Sequence, residues 1–293
     1  MDTDRPLPGG GQRMRVDRVG FSIFLGCVAW ALSAAACPAG ERLPDCLEGT
    51  DLEARSVGGD DRFAVAAVTG KGELLQIVPA GVILPPHWAG WPVPAGRALR
   101  LTDVGEKTDR YGRLPAQVHV EDGDGRWGWL QGDLLAEGRV LAEASDGRCG
   151  EALLAAEAKG RDRGVGLWQY GGVVRATDDR LLDHVSDYVV VRGRPLSVGM
   201  SGRRIYLNFG HDWATDLTIT LSEDLARQWI DRQGAAADRD DSDLREGLQQ
   251  MLAGRWIEAR GWLQERGGPA IELEAAAALR LLRCGVGNTI SCP

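Results

Sequence analysis

Alternating apolar and polar positions predict a series of short β-strands in the first half of the chain. Residues 62–78, "RFAVAAVTGKGELLQIV", are two apolar runs around a Gly-Lys-Gly reversal, which is typical of a β-hairpin. The next residues, "GVILPP", extend the second run, and two prolines close it. Residues 97–101 and 115–120 alternate again, so each of them predicts a further strand.

Two segments with helical character follow these strands. Residues 129–138, "WLQGDLLAEG", predict a short helix that ends at Gly138, and residues 149–164 predict a longer helix rich in alanine and leucine. Between strand and helix, "DGDGR" at 122–126 predicts a turn; its third potential calcium-ligand position is Arg126, so we reject a calcium loop there. This order of elements predicts an OB-type barrel with helices packed against it.

The second half of the chain repeats the strand pattern. Residues 188–210 predict two strands around a Gly-Met-Ser-Gly reversal, and residues 216–221 alternate once more. Ser222 is a predicted N-cap for the helix "EDLARQWI", an acidic loop follows at 233–243, and Gly267-Gly268 marks a hairpin. We expect a second OB-like β-barrel with one inserted helix, and a fold class that is mainly β with packed helices (α+β).

The N-terminal residues have the features of an export signal. Arg13, Arg15 and Arg18 precede an apolar run, residues 19–36, which ends in small residues and is short for a membrane span. We expect a signal peptide over residues 1–36 and a periplasmic or secreted protein. Cys37 stands where lipoproteins are acylated, so a lipid anchor on Cys37 is a second possibility. Membrane contact is expected only through the signal peptide or this lipid.

Length and charge set broad limits on the function. The 293 residues are enough for two modest domains, which we place at 58–169 and 170–283, with a polar lead-in at 37–57 and a tail at 284–293. The net charge of −8 provides no global field that attracts nucleic acid, so such a contact would need a local basic patch.

Export makes disulfides the expected state of the cysteines. Cys284 and Cys292 bracket a short glycine-containing loop and are a predicted pair. The other cysteines leave two alternatives. If Cys37 carries a lipid, Cys46 pairs with Cys149; if it does not, Cys37 pairs with Cys46 and Cys149 is left over.

An ordered set of motifs gives the first half a family resemblance. The set comprises Asp-Arg-Tyr-Gly-Arg at 109–113, a strand and a glycine-bearing hairpin, Leu-Leu-x-x-Gly at 134–138, and Ala-Glu-Ala at 156–158 leading to Gly-Leu-Trp at 166–168. With these motifs, residues 58–169 resemble the staphylococcal nuclease (thermonuclease) family. The resemblance implies a nuclease-type OB barrel. Residues 170–283 resemble the C-terminal part found beside such domains in some exported bacterial proteins.

The resemblance also implies roles for individual residues. In the family, a metal ion, a carboxylate base and two arginines assist the attack of water on a phosphodiester. Arg113 matches one of these arginines, and Arg110 and Tyr111 match neighbours that contact the nucleotide. The other arginine, the calcium-binding aspartate and the base belong to a segment that matches residues 74–92 here. This stretch contains no Asp, Glu, Arg or Lys.

Aligned on its proline, the segment has apolar residues at each of the family's functional positions. Val78 stands for the arginine, Ile83 for the aspartate, Leu84 for the threonine that follows it and Pro86 for the base. Proline cannot accept a proton, so this site lacks the base that the reaction needs. Residues 87–96 are also too rich in proline and glycine for the helix that walls the cleft in the family.

Some residues permit both a functional and a structural interpretation. Asp60 and Asp61 are candidate metal ligands or a solvated turn, and His87 is a candidate base or an ordinary surface or packed histidine. Arg113 either pairs with Asp109 within its turn or contacts a phosphate. The remaining candidates are Arg203, Arg204 and Tyr206 as a base-stacking strand, with Phe209 in the core, and Trp88 and Trp91 as exposed partner contacts.

These observations favour an exported, thermonuclease-like protein without catalysis, which binds nucleic acid, another anion or an envelope protein. An active metal-dependent nuclease is the first alternative, and a structural envelope lipoprotein is the second. We expect no cofactor, and calcium only if the nuclease alternative holds.

Overall fold

A computed structural model describes residues 45–59, 61–169, 171–212, 214–234 and 241–282. The predicted signal peptide, Cys37, Asp60 and the predicted Cys284–Cys292 pair lie outside these residues. All the described residues belong to one compact unit, which spans 43–293. Within them, no helix has the length and apolar character needed to cross a membrane.

The first half forms a closed five-stranded barrel. Strand β1 pairs with β2 and β5, β2 pairs with β3, and β5 pairs with β6, all antiparallel; a parallel pairing of β3 with β6 closes the ring. This order is consistent with the predicted OB-type barrel. The strands are β1 (Leu52–Ser56), β2 (Val65–Thr69), β3 (Leu74–Pro79), β4 (Val82–Ile83), β5 (Ala98–Thr102) and β6 (Leu114–Glu121), with β4 outside the ring.

Two details of this barrel differ from the prediction. Strand β1 lies within the segment expected to be a polar lead-in, because Glu53 and Arg55 occupy its exposed face and hide the alternation. The apolar run at 74–86 is not one strand, since Gly81 has a φ of +77° and turns the chain after β3. As a result β4 pairs with a later strand, β8 (Leu141–Ala142).

The two predicted helices pack against the barrel. Strand β7 (Trp127–Trp129) extends the sheet and leads into α1 (Leu130–Ala136), and α2 (Gly150–Arg163) follows β8. Gly138, with a φ of +65°, ends the first helix as predicted, and a Cβ there would lie 2.2 Å from the carbonyl oxygen of Val165. The close approach explains why glycine is needed at this position.

The strands of the second half pair in the same order as the strands of the first barrel. Strand β10 pairs with β14, β14 with β15, β15 in parallel with β13, β13 with β12, and β12 with β11. Only residues 194–196 separate β10 from β11. The strands are β9 (Val174–Arg175), β10 (Tyr188–Gly193), β11 (Ser197–Ser201), β12 (Arg204–Asn208), β13 (Thr218–Ser222), β14 (Ile257–Glu265), β15 (Pro269–Glu272) and β16 (Leu279–Leu281).

Two helices, not the single one expected, are inserted in this ladder. Helix α3 (Glu223–Arg232) begins as predicted, with the Oγ of Ser222 accepting a hydrogen bond from the N–H of Leu225 at 3.2 Å. Helix α4 (Asp241–Leu252) was missed because its first turn, Asp-Ser-Asp, continues the acidic run before it. Leu244, Leu248 and Leu252 are its buried residues.

A disulfide joins Cys46 to Cys149, next to the N-terminus of α2. Both cysteines are buried, and they pack in the core of the barrel with Leu47. Of the two cysteine arrangements left open by the sequence, this is the one expected if Cys37 carries a lipid.

A buried ion network connects the two halves. Arg260 on β14 donates from Nη1 and Nη2 to both carboxylate oxygens of Glu157 on α2, at 3.0 and 2.9 Å, and from Nη2 to Oε1 of Glu258 at 3.2 Å. The other oxygen of Glu258 accepts from Arg161 at 2.6 Å and from Arg192 at 2.9 Å. Burial acts to raise the pKa of Glu258, but Arg161 and Arg260 outweigh it and lower that pKa from 4.5 to about 2.

Candidate functional site

The turn at 109–113 is held by its own first residue. The Oδ1 of Asp109 accepts hydrogen bonds from the N–H groups of Tyr111 and Arg113 at 2.8 and 2.9 Å, and Oδ2 accepts from Nε of Arg113 at 2.8 Å. Partial desolvation acts to raise the pKa of Asp109, but the hydrogen bonds from Arg113 and Tyr111 lower it below its usual value. Gly112, with a φ of +74°, completes the turn, which leads directly into β6.

Two arginines lie against an exposed aromatic ring in this turn. Tyr111 is 65% exposed, and the guanidinium carbons of Arg110 and Arg113 each lie 4.8 Å from the centre of its ring. Arg62 lies 4.7 Å from the ring centre of Phe63, which is 41% exposed. Flat rings combined with guanidinium groups provide stacking surfaces for nucleic-acid bases and charge for phosphates.

A cavity of about 550 Å³ brings these groups together. The turn contributes Tyr111 and Arg113 to its lining, and the segment before β2 contributes Asp61 and Phe63. Nη1 of Arg113 lies 4.0 Å from Oδ2 of Asp61, while the guanidinium of Arg113 stays bound to Asp109. Arg113 therefore pairs with Asp109, as the structural interpretation expected, and it also lines a cavity. The phosphate contact stays a prediction.

The same cavity is apolar at the positions where the resemblance to nucleases would place catalytic groups. Val78 and Leu84 line it, and Ile83 is paired with Leu141 in the separate β4–β8 ribbon. Pro86 and His87 are exposed and are not among the described residues that line the cavity. The positions 78, 83, 84 and 86 thus supply no carboxylate to this wall.

The residues of the cavity do not fit a calcium ion. Asp61 is the one carboxylate among the described lining residues, and its Oδ1 already accepts a hydrogen bond from the N–H of Phe63 at 2.8 Å. Calcium takes six to eight oxygen ligands, roughly, whereas valine, leucine and phenylalanine supply none from their side chains. Across the described ranges, no group of three or more His, Cys, Asp or Glu is placed to hold a metal.

The proline-rich segment 87–96 contacts the chain next to the cavity, at Arg62. As expected, it forms no helix between β4 and β5. The expectation that Trp88 is exposed was wrong: it is 5% exposed, and its Nε1 donates to the carbonyl oxygen of Arg62 at 3.0 Å. Trp91 packs edge-on against it, with 5.1 Å between ring centres. The hydrogen bond from Trp88 ties this segment to the backbone of Arg62, the residue before Phe63.

The candidate nucleic-acid-binding residues of the second half do not line this cavity. Arg203 pairs with Asp224 at 3.0 Å, and Arg204 pairs with Glu272 at 2.9 Å. Tyr206 is half-buried on the outer face of β12, while Phe209 belongs to the core, as expected. The ion pairs neutralise the charge that a phosphate contact would use.

The sequence patterns did not point to two residues of this site. Phe63 lines the cavity, and Arg62 lies against the ring of Phe63. They adjoin Asp61 in "DDRF", so the aromatic residue beside a candidate acid was the available signal. No model of a known protein family matches the chain, and no curated protein matches it.

Proposed function

We propose that the protein is a non-catalytic, thermonuclease-like module that binds single-stranded nucleic acid in the cavity beside Tyr111 and Arg113. One observation carries the proposal: the cavity joins two exposed aromatic rings to an arginine, and apolar side chains occupy the places of the catalytic groups. Such a surface can stack bases and hold a phosphate, but it has no group to activate water.

The fold supports this proposal. The pairing order of the first barrel and the two helices after it are those that the resemblance implies. In the second half, β10 and β11 act as the two arms of one bent strand, since β10 pairs with β14 and β11 with β12. With this assignment the second ladder also closes, and we infer a second OB-like barrel.

The binding surface works by local charge. Arg62, Arg110 and Arg113 surround the rings, and Asp61 and Asp109 offset part of their charge. A chain with a net charge of −8 gives no long-range attraction, so affinity must come from short-range contacts. We expect weak, salt-sensitive binding, with a slope of log affinity against log salt of about −0.7 for each phosphate contact.

We further propose that the protein works outside the cytoplasm. The Cys46–Cys149 disulfide supports this location, because such bonds persist in oxidising compartments. It leaves Cys37 available for the lipid that the sequence suggests. In this setting the module would bind extracellular nucleic acid, and an envelope protein is the alternative partner.

The test is binding of fluorescein-labelled dodecathymidylate and dodecauridylate, followed by fluorescence anisotropy at low and high salt. Arg113→Gln removes the cation from the cavity, and we expect about a tenfold loss of affinity. Arg126→Gln is the matched control, because Arg126 makes the same contact to its own Asp122, at 2.9 Å, outside the cavity. It should change affinity less than about twofold.

Cleavage of the same oligonucleotides, measured with calcium and with a chelator, separates the alternatives. No cleavage together with Arg113-dependent binding supports the proposal. Calcium-dependent cleavage that Arg113→Gln abolishes would establish the nuclease alternative. If neither oligonucleotide binds at low salt, the nucleic-acid proposal fails, and the envelope-protein alternative takes its place.

A further inference from the structure

A second groove lies along the seam between the first barrel and the second sheet. Its volume is about 540 Å³. The first half of the chain contributes Pro85, Pro86 and Leu167 to its lining, and the second half contributes Val174, Val189 and Trp262. A volume of this size with a mostly apolar lining is typical of sites for small organic molecules.

Trp262 gives the groove a fixed aromatic wall. The indole is 43% exposed, and it meets Tyr188 edge-on at 5.5 Å between ring centres. Tyr188 is itself anchored, since its hydroxyl oxygen accepts a hydrogen bond from the N–H of Ala144 at 3.1 Å. A held indole with an accessible face is the best aromatic surface for a cation.

The charges of the groove have one sign. Asp178 and Asp187 line it, and His184 places Nδ1 at 3.4 Å from Oδ2 of Asp187. Although the chain has 34 Lys and Arg residues, none is among the described residues that line the groove. Outside the lining, Arg180 donates from Nε to Asp183 at 3.0 Å, and its backbone N–H donates to Oδ1 of Asp178 at 2.9 Å.

We propose that this groove binds a small organic cation with an apolar body. The body lies between the two prolines and the aromatic wall, and the ammonium group lies near Asp178 and Asp187, over the face of Trp262. Apolar enclosure, an exposed indole and two carboxylates with no Lys or Arg among the described lining residues together select this chemistry over a neutral or anionic ligand. The inference does not depend on the proposed nucleic-acid function, because neither carboxylate lines the cavity beside Arg113.

The test compares three probes of similar size: phenethylammonium, phenethyl alcohol and 3-phenylpropionate. Isothermal titration calorimetry at constant ionic strength measures the affinity of the full protein for each. We expect phenethylammonium to bind about tenfold more tightly than the alcohol, and the carboxylate to bind least. Equal affinities for all three probes, or no detectable binding of phenethylammonium, would overturn the proposal.

Two variants locate the site. Asp187→Asn should weaken phenethylammonium binding about fivefold and leave the alcohol unchanged, since it removes charge and preserves shape. Trp262→Leu should weaken the cation about tenfold. Asp183→Asn is the matched control, because Asp183 belongs to the same loop but does not line the groove. If Asp183→Asn and Asp187→Asn weaken binding equally, the charge acts at long range and the proposed site is wrong.

Discussion

The two ends of strand β6 carry the same five-residue turn in different surroundings. In both 109–113 and 122–126, an aspartate Oδ1 accepts two backbone N–H groups, and its Oδ2 accepts the Nε of the arginine four residues later, at 2.8 and 2.9 Å. In both turns the aspartate N–H donates to the arginine carbonyl oxygen, at 2.8 and 2.9 Å. The two aspartates also share a lowered pKa, to which these hydrogen bonds contribute.

The difference between the two turns lies in what surrounds the arginine. The side chain of Arg113 is 18% exposed and faces Tyr111 and Asp61 in a cavity, while that of Arg126 is 76% exposed beside Asp124. An arginine paired with its own aspartate is therefore not a sign of ligand binding, since this geometry occurs at both ends of β6. Arg126 also lines a cavity, of about 580 Å³, but carboxylates dominate its charged lining. The exposed ring at the third position and the apolar walls of its cavity therefore distinguish the candidate site.

The largest expected effect is on the free energy of unfolding, and it comes from the buried arginine–carboxylate network around Arg260. Arg260→Met leaves Glu157 and Glu258 buried without their shared partner, so we expect the free energy of unfolding to fall by about 3–5 kcal/mol. Urea unfolding with the disulfide intact measures it. Arg113→Gln is the comparison, and it should shift the thermal midpoint by less than about 4 °C. Similar losses in both variants would contradict the distinction between buried and surface arginines.

The same ion network should make the stability of the protein depend on pH, through the protonation of Glu258. Its pKa is about 2 in the folded protein and 4.5 without its partners, so its stabilising effect is complete above pH 5. It is lost as pH falls from about 5 towards 2, and it amounts to about 3 kcal/mol. Urea unfolding at a series of pH values measures this loss.

Glu258→Gln provides the control for the acid effect. We expect the variant to be less stable at neutral pH and to lose less stability between pH 5 and pH 2.5, because the shifted carboxyl group is gone. Parallel pH profiles for the two proteins would show that other carboxyl groups cause the acid loss.

If the first turn is made to resemble the second, the cavity beside Arg113 should lose its affinity for single-stranded oligonucleotides. Tyr111→Asp places at 111 the residue that Asp124 provides in the other turn, and removes a stacking surface worth about 1–3 kcal/mol per base. We expect at least about a tenfold loss of dodecathymidylate affinity with an unchanged circular dichroism spectrum. Retained affinity would mean that the cavity does not bind the oligonucleotide.

Giving the second turn the aromatic ring of the first should have the smallest effect on the affinity for oligonucleotides. Asp124→Tyr gives the second turn its aromatic ring, but the cavity that Arg126 lines also contains the acidic residues Glu121, Asp122, Asp133 and Glu137, which repel phosphate. We expect affinity for dodecathymidylate to rise by less than about twofold, measured by the same anisotropy titration. A larger gain would show that a ring and an arginine suffice even beside an acidic cavity lining.

Much of the fold could be predicted from local patterns. The hairpin of β2 and β3, the stop of α1 at Gly138 and the N-cap at Ser222 each depend on neighbouring residues, and all three are confirmed. Helix α4 has its own signal, since Leu244, Leu248 and Leu252 recur every four residues. The acidic run before it obscured that signal.

The contacts between distant segments could not be predicted. Glu157 and Arg260 are 103 residues apart, and in the sequence each resembles an ordinary surface charge. The burial of Trp88 depends on a hydrogen bond to Arg62, 26 residues earlier, which no local rule supplies. For the candidate site, the sequence located Tyr111, Arg113 and Asp61, but only the fold placed Phe63 beside them.

The Cys46–Cys149 bond also determines how mechanical force would travel through the molecule. A pull between residues 45 and 282 enters at Cys46 and passes through the sulfur atoms to the start of α2. The covalent loop between the two cysteines contains all five strands of the first barrel, so the pull bypasses them. The cavity beside Arg113 would keep its shape under tension, while the second sheet carried the load.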